Sequence, residues 1–226
     1  MPIDNRRLDK VITKRVNLGY QLFVPTAYEE NLEKKWPLIM FLHGIKKRGD
    51  DIHLLDDYGL TWMAEKQGDF KFFVLTPQCP ALSSWPYERD GLIALLDEIC
   101  STYQVDTERI YLTGFSMGGN GAWDMAAHHP DRFAAVAPLA GWFDAQKAHL
   151  LSKMPVWTFH GEDDDVVSIN GSKTMVEALQ QRGEDVAFTT FPGLKHSIMN
   201  EVYNNPALFD WFMKYKRRLA EVNRES

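Results

Sequence analysis

Along this chain, short and nearly continuous apolar runs alternate with longer stretches in which apolar residues recur at helical spacing. The runs Val11–Val16, Gly19–Val24, Leu38–Leu42, Phe72–Thr76, Ile110–Thr113, Ala135–Leu139, Val156–His160 and Val186–Phe191 read as strands. Those around Leu38, Phe72, Ile110, Ala135 and Val156 show almost no polar alternation, the pattern of strands buried on both faces. The first two runs are more polar and lie close together, which predicts an antiparallel hairpin at a sheet edge.

Between the strands lie helices. Leu92, Leu95, Leu96, Ile99, Cys100 and Tyr103 follow the i, i+3, i+4, i+7 spacing of a half-buried helix. Gly118–His129 reads as a second helix, ended near Pro130 because proline disfavours helical backbone in the residue before it. Met175 and Leu179 mark a third. Pro206–Val222 reads as a C-terminal helix with Leu208, Phe209, Phe212 and Tyr215 on one side. Its basic end, Lys214–Arg218, is a solvated face favoured near a helix C-terminus, and no partner is assigned to it. Strands alternating with helices predict an α/β fold with a mostly parallel, eight-stranded sheet flanked by helices. No repeat, low-complexity tract or linker divides the chain, so residues 1–226 are expected to form a single domain.

Composition narrows the function classes. A net charge of -6 argues against a nucleic-acid binder, which needs a basic face. No apolar stretch approaches the length that spans a bilayer, so no membrane partner is expected. The start, Met1–Arg7, lacks the apolar run of a secretory signal, and a cytoplasmic protein is expected. Cys79 and Cys100 belong to no CxxC pair and are read as two separate thiols.

One segment carries a chemical signature. Gly114-Phe115-Ser116-Met117-Gly118 fits G-x-S-x-G, and Gly119 follows. The preceding Arg109–Thr113 reads as a strand and the following Asn120–His129 as a helix, the setting that a nucleophile on a tight strand-to-helix turn requires. The glycines have a physical reason: a β-carbon two residues either side of Ser116 would collide with the adjacent strand or helix. At the start of a helix, the backbone N–H of Met117 is free to face a developing oxyanion.

With this motif, the segment Val105–Gly141 resembles the α/β-hydrolase superfamily, and more narrowly its small serine esterase, polyhydroxybutyrate-depolymerase-like and phospholipase/carboxylesterase branches. The likeness runs from about Tyr20 to the C-terminal helix. It implies an α/β-hydrolase fold with Ser116 as nucleophile and with an acid and a histidine following in that order, each in a loop after a late strand. His196, in Pro192–Ser197 after the strand Val186–Phe191, is the expected base. The acid belongs after Val156–His160, where Glu162, Asp163, Asp164 and Asp165 stand together. The superfamily pattern His-Gly-x-x-Asp-x-x-Val lands on Asp164, with Asp163 and Asp165 as fallbacks. The acidic run lacks the alternation and glycine of a calcium loop, so no metal site is expected. His43 and His160, each preceding a glycine at a strand end, are expected to shape turns.

His43-Gly44-Ile45 resembles the family's oxyanion loop and would supply the Ile45 N–H beside that of Met117, although relatives often carry a smaller residue where Ile45 stands. Lys46-Lys47-Arg48 lies close to Asp50 and Asp51 and reads as a solvated loop. Loops at the carboxyl ends of the strands should line the pocket. Gln78, Trp85 and Trp142 are the candidate substrate contacts there, with packing as the competing role for either tryptophan. No inserted cap domain is present, which predicts an open cleft. The expected function is a serine carboxylic-ester hydrolase acting on a small-molecule ester, with aryl, feruloyl or acetyl-sugar esters as the candidates and no cofactor required. Peptidase and thioesterase activities share the same chemistry, and a non-catalytic binding module is the alternative of another class.

Overall fold

The computed structural model describes residues 4–217. Its strands are β1 (Tyr20–Phe23), β2 (Trp36–Leu42), β3 (Phe73–Pro77), β4 (Val105–Phe115), β5 (Ala135–Leu139), β6 (Val156–Gly161) and β7 (Val186–Phe191). The helices are α1 (Gly59–Gln67), α2 (Arg89–Thr102), α3 (Met117–His128), α4 (Asn170–Gln181), α5 (Met199–Tyr203) and α6 (Pro206–Met213). The strands form one seven-stranded sheet in the order β1-β3-β2-β4-β5-β6-β7. All neighbours are parallel except β1, which runs antiparallel to β3.

The continuous apolar runs are explained by cover on both faces. In β2, Leu38, Met40 and Leu42 face one core with α2, α3 and α4, while Ile39 and Phe41 face a second with α1, α5 and α6. Ile110 and Leu112 of β4 join the first core, and Tyr111 and Phe115 the second. A period of two is thus present, but both sets of residues are apolar because neither face meets water.

Two expectations are corrected. The sheet has seven strands, not eight: Val11–Val16 forms no strand, and Val11 and Ile12 are 91% and 92% exposed. The chain after them packs Val16 and Leu18 against Gly91 at the start of α2, where a β-carbon would stand 3.1 Å from Leu18 Cδ1. Lys14 Nζ donates to the Tyr87 carbonyl at 3.2 Å, just ahead of α2, so the segment lies beside the start of that helix and makes no strand pairing with β1. β1 pairs with β3 instead, Tyr20 opposite Pro77 and Phe23 opposite Val74. The last helix also ends earlier, at Met213. After a last turn at Lys214, the Arg217 N–H donates to the Glu108 carbonyl at 2.7 Å and the Tyr111 hydroxyl to the Tyr215 carbonyl at 3.0 Å, which holds 215–217 against β4 instead of continuing the helix. Arg218 and the expected helical turn to Val222 lie outside the described residues.

Helix α1 was not legible as a helix in the pattern: its nine residues begin with Gly59 at φ +68 and carry little amphipathic contrast. Cys79 and Cys100 are free thiols. Among the described residues, no helix is long and apolar enough to cross a membrane.

Candidate active site

Ser116 sits between β4 and α3 with φ +58 and ψ -116, a backbone conformation that L-residues rarely adopt. Its neighbours show what forces it there. A β-carbon on Gly114 would stand 2.3 Å from the Gly118 carbonyl oxygen, and one on Gly118 only 1.8 Å from that of Leu42. One on Gly119 would meet the Leu139 carbonyl oxygen at 2.4 Å. The ends of β2, β4 and β5 therefore close on the first turn of α3, and Ser116 N–H donates to Leu139 O at 2.9 Å.

The loops after β6 and β7 are packed on each other with equal closeness. A β-carbon on Gly161 would lie 2.2 Å from the Lys195 carbonyl oxygen, and Asp163 N–H donates to the Leu194 carbonyl at 3.0 Å. This contact brings Asp164 and His196 together across 32 residues of sequence. His196 Nδ1 lies 2.8 Å from Asp164 Oδ2, and its Nε2 lies 2.9 Å from Ser116 Oγ. The carboxylate only accepts, so Nδ1 carries the proton and Nε2 receives the serine hydroxyl. The Phe115 ring lies against the imidazole, centroids 4.7 Å apart.

Asp164 is held from all sides. Its Oδ1 accepts from Val166 N–H and Val167 N–H, each at 2.9 Å, and its side chain has no exposed surface. Burial alone would raise its carboxyl, but the hydrogen bonds from His196, Val167 and Val166 outweigh this and hold it below the usual carboxylate range. Asp163 and Asp165 are exposed, and Asp165 pairs with Lys195 at 2.8 Å. Of the four carboxylates in the run, only Asp164 hydrogen-bonds to His196.

His43 shapes its turn through both ring nitrogens. Nδ1 donates to the Gly44 carbonyl at 2.8 Å, and Nε2 accepts the Cys79 N–H at 3.0 Å. Burial lowers its pKa to about 4, which keeps the ring neutral and suits this donor-acceptor pattern. A β-carbon on Gly44 would lie 3.6 Å from Ser116 Cβ, so the loop runs beside the serine. Ile45 opens a 3-10 turn and Met117 opens α3, positions whose N–H groups have no partner within their own helix. The Ile45 side chain points to solvent.

Two expected substrate contacts do not reach the surface. Trp85 is fully buried, packed on Gly121, and its indole N–H donates to the His43 carbonyl at 3.0 Å. Gln78 is buried too, and its amide donates to the Asp51 carbonyl at 2.7 Å and the Lys47 carbonyl at 3.2 Å. Both brace the loops around the His43 turn. Trp142 is 41% exposed at the end of the loop after β5, and its carbonyl accepts from Asn120 Nδ2. Two further residues of the site, Phe115 and His160, were not singled out as such in the sequence. Phe115 occupies the unconstrained second position of the motif. His160 lies four residues before Asp164, and that spacing was its signal.

Hydroxyl, imidazole and carboxylate in this order can move a proton from Oγ to Nε2 while the carboxylate stabilises the charge that forms. Among the described residues no group of three His, Cys, Asp or Glu side chains stands close enough to hold a metal ion.

The dienelactone hydrolase family matches residues 3–221. The chain belongs to that family. Over 145 residues, 61% of the chain, it is 30% identical to the bifunctional acetylxylan esterase/xylanase XynS20E of Neocallimastix patriciarum, covering 21% of that protein. It is 33% identical to acyl-protein thioesterase 1 of Gibberella zeae over 102 residues, 42% of the chain and 43% of the relative. A crystal structure of a thermostable esterase superposes with a TM-score of 0.81 at 32% identity, over 88% of this chain and 60% of the other. The chain therefore spans less than half the length of these two curated relatives.

Proposed function

We propose that the protein is a serine carboxylic-ester hydrolase working through an acyl-enzyme. The observation that carries the reading is His196 bridging Ser116 Oγ at 2.9 Å and buried Asp164 at 2.8 Å. Ser116 Oγ attacks the ester carbonyl as His196 Nε2 takes its proton. The N–H groups of Met117 and Ile45 receive the negative charge that builds on the carbonyl oxygen. The tetrahedral adduct collapses, the alcohol leaves with the proton from His196, and Ser116 keeps the acyl group. Water, deprotonated by His196, then attacks the acyl carbon, and the carboxylic acid departs as the proton returns to Oγ.

Ile45, next to Gly44 at the serine, and Trp142, in the loop after β5, are both exposed and are the groups this reading assigns to an aryl or sugar ester. The acetylxylan esterase among the relatives is consistent with such a substrate. A thioester substrate is the second reading, favoured by the resemblance to an acyl-protein thioesterase. We expect a fluorophosphonate probe to label the wild type and not Ser116→Ala. We also expect turnover of p-nitrophenyl esters between acetate and octanoate, with acetylated xylo-oligosaccharide, methyl ferulate and an S-acyl thiol compared in parallel. A folded wild type that hydrolyses none of the oxygen esters defeats the ester reading.

A further inference from the structure

Behind the three residues lies a fourth polar group that the reaction does not touch. His160 ends β6 with no exposed side-chain surface, and its Nε2 stands 3.1 Å from Asp164 Oδ2, the oxygen that also accepts from His196. The same Nε2 lies 3.0 Å from the Val167 carbonyl. Both neighbours are acceptors only, so Nε2 must carry a proton. On the far side of the ring, Nδ1 lies 2.8 Å from Oγ of Ser172 in α4, a hydroxyl that is itself 3.2 Å from the Gly141 carbonyl.

The single hydroxyl proton of Ser172 decides the tautomer. Were it given to Gly141, Nδ1 would have to donate, and the ring would then be either a buried cation or a neutral ring with its Nε2 lone pair against a carboxylate. Burial lowers the His160 pKa despite the nearby Asp164, which disfavours the cation. Given to Nδ1, the same proton leaves Nε2–H aimed at Asp164. The charged groups near His160 are Asp164 and His196.

We infer that His160, fixed by Ser172, is a positioning residue for the acid: its Nε2–H clamps Asp164 Oδ2 and sets how strongly that carboxylate pulls on His196. Together with the Val166 and Val167 amides it fills the remaining acceptor positions of Asp164, so the carboxylate can turn only by breaking several hydrogen bonds. The inference rests on the Ser116–His196–Asp164 reading above.

Its test is kinetic. His160→Phe keeps a buried ring and removes the N–H; His160→Gln can place an amide N–H at the Nε2 position; Ser172→Ala removes only the tautomer-setting hydroxyl. For His160→Phe we expect kcat per fluorophosphonate-titrated site to fall about tenfold to a hundredfold, the value of one charge-assisted hydrogen bond, with KM nearly constant. The acid limb of kcat/KM should move up by about half a pH unit, because an unclamped carboxylate stabilises the imidazolium more. Glutamine should restore most of the rate, and Ser172→Ala should shift rate and limb in the same direction by less. If titrated sites fall but kcat per site and the acid limb stay at wild-type values, His160 is only a packing residue and the inference is overturned. Should His160→Phe fail to fold, an unmoved limb and rate in Ser172→Ala overturn it equally. Ser116→Ala runs alongside: persistent labelling there brings down the underlying triad, whereas lost labelling there with unaltered His160 and Ser172 variants brings down this inference alone.

Discussion

The carbonyl oxygen of Leu42 lies against Gly118, so close that a β-carbon would stand 1.8 Å from it. This contact joins the end of β2 to the first turn of α3 and sets the His43-Gly44-Ile45 loop beside Ser116. Gly118→Ala should therefore destabilise the protein by about 4 kcal/mol or more, since backbone on both sides must move. Gly183, at φ +75 with open space around it, supplies the control. Gly183→Ala should cost only about 1–2 kcal/mol of left-handed strain. Urea midpoints for the two variants check this; equal midpoints would contradict the packing at Gly118.

The acid should be separable from its neighbours by charge removal alone. Asp164→Asn keeps the shape but offers an amide where His196 needs an acceptor, so the imidazole loses the partner that fixes its tautomer. A fall in kcat of about 10³–10⁴ is expected. Asp163→Asn and Asp165→Asn remove exposed charges, one paired only to Lys195, and should stay within about twofold of wild type. Initial rates on one p-nitrophenyl ester, normalised to titrated sites, make the comparison. A large loss in Asp163→Asn would move the acid.

How much of this was legible in the sequence follows from which interactions are local. The five central strands announced themselves because both faces are buried, and Ser116 did so because its glycines answer to steric contacts that only glycine relieves. Asp164 and His196 were found through the order of elements in the resembling family, and their meeting depends on Gly161 seating one loop on the other. Val11–Val16 misled because a run of β-branched residues reports a preference for extended backbone without saying whether an edge is there to receive it. Trp85 and Gln78 misled for a related reason. A loop at the carboxyl end of a strand has an outer and an inner side, and period alone does not distinguish them. The role of His160 was hidden by its motif, since a histidine before a glycine at a strand end reads as a turn residue, as His43 is.

The two tryptophans should part company on mutation. Trp85→Phe removes the hydrogen bond to the His43 carbonyl and leaves a void against Gly121, so a loss of about 1–3 kcal/mol in stability is expected. Trp142→Ala removes a half-exposed indole and should change stability by no more than about 0.5–1 kcal/mol. Its effect should instead appear in KM, and more for aryl or sugar esters than for p-nitrophenyl acetate. Thermal melts and KM values across the ester panel separate the two. A KM unchanged on every ester in Trp142→Ala would remove that residue from the substrate site.

The neutral, buried His43 should make the protein acid-sensitive well above the carboxylate range. Its folded pKa of about 4 lies below the value near 6.5 of an unfolded chain, so between these limits the unfolded state binds the extra proton. Stability should thus be full above about pH 6.5 and fall toward pH 4, by at most about 3 kcal/mol from this residue. His160, also lowered by burial, acts in the same direction. Asp164 acts elsewhere: its depressed carboxyl contributes stability above the unfolded carboxylate value, lost only as pH falls through its own lower pKa. His43→Gln retains an acceptor for the Cys79 N–H and cannot titrate. Urea unfolding from pH 4.5 to 7.5 should therefore show a shallower acid slope in His43→Gln than in wild type, with part of the slope remaining from His160. Identical slopes would mean that His43 is already charged in the folded protein, against the hydrogen bond that its Nε2 accepts from the Cys79 N–H.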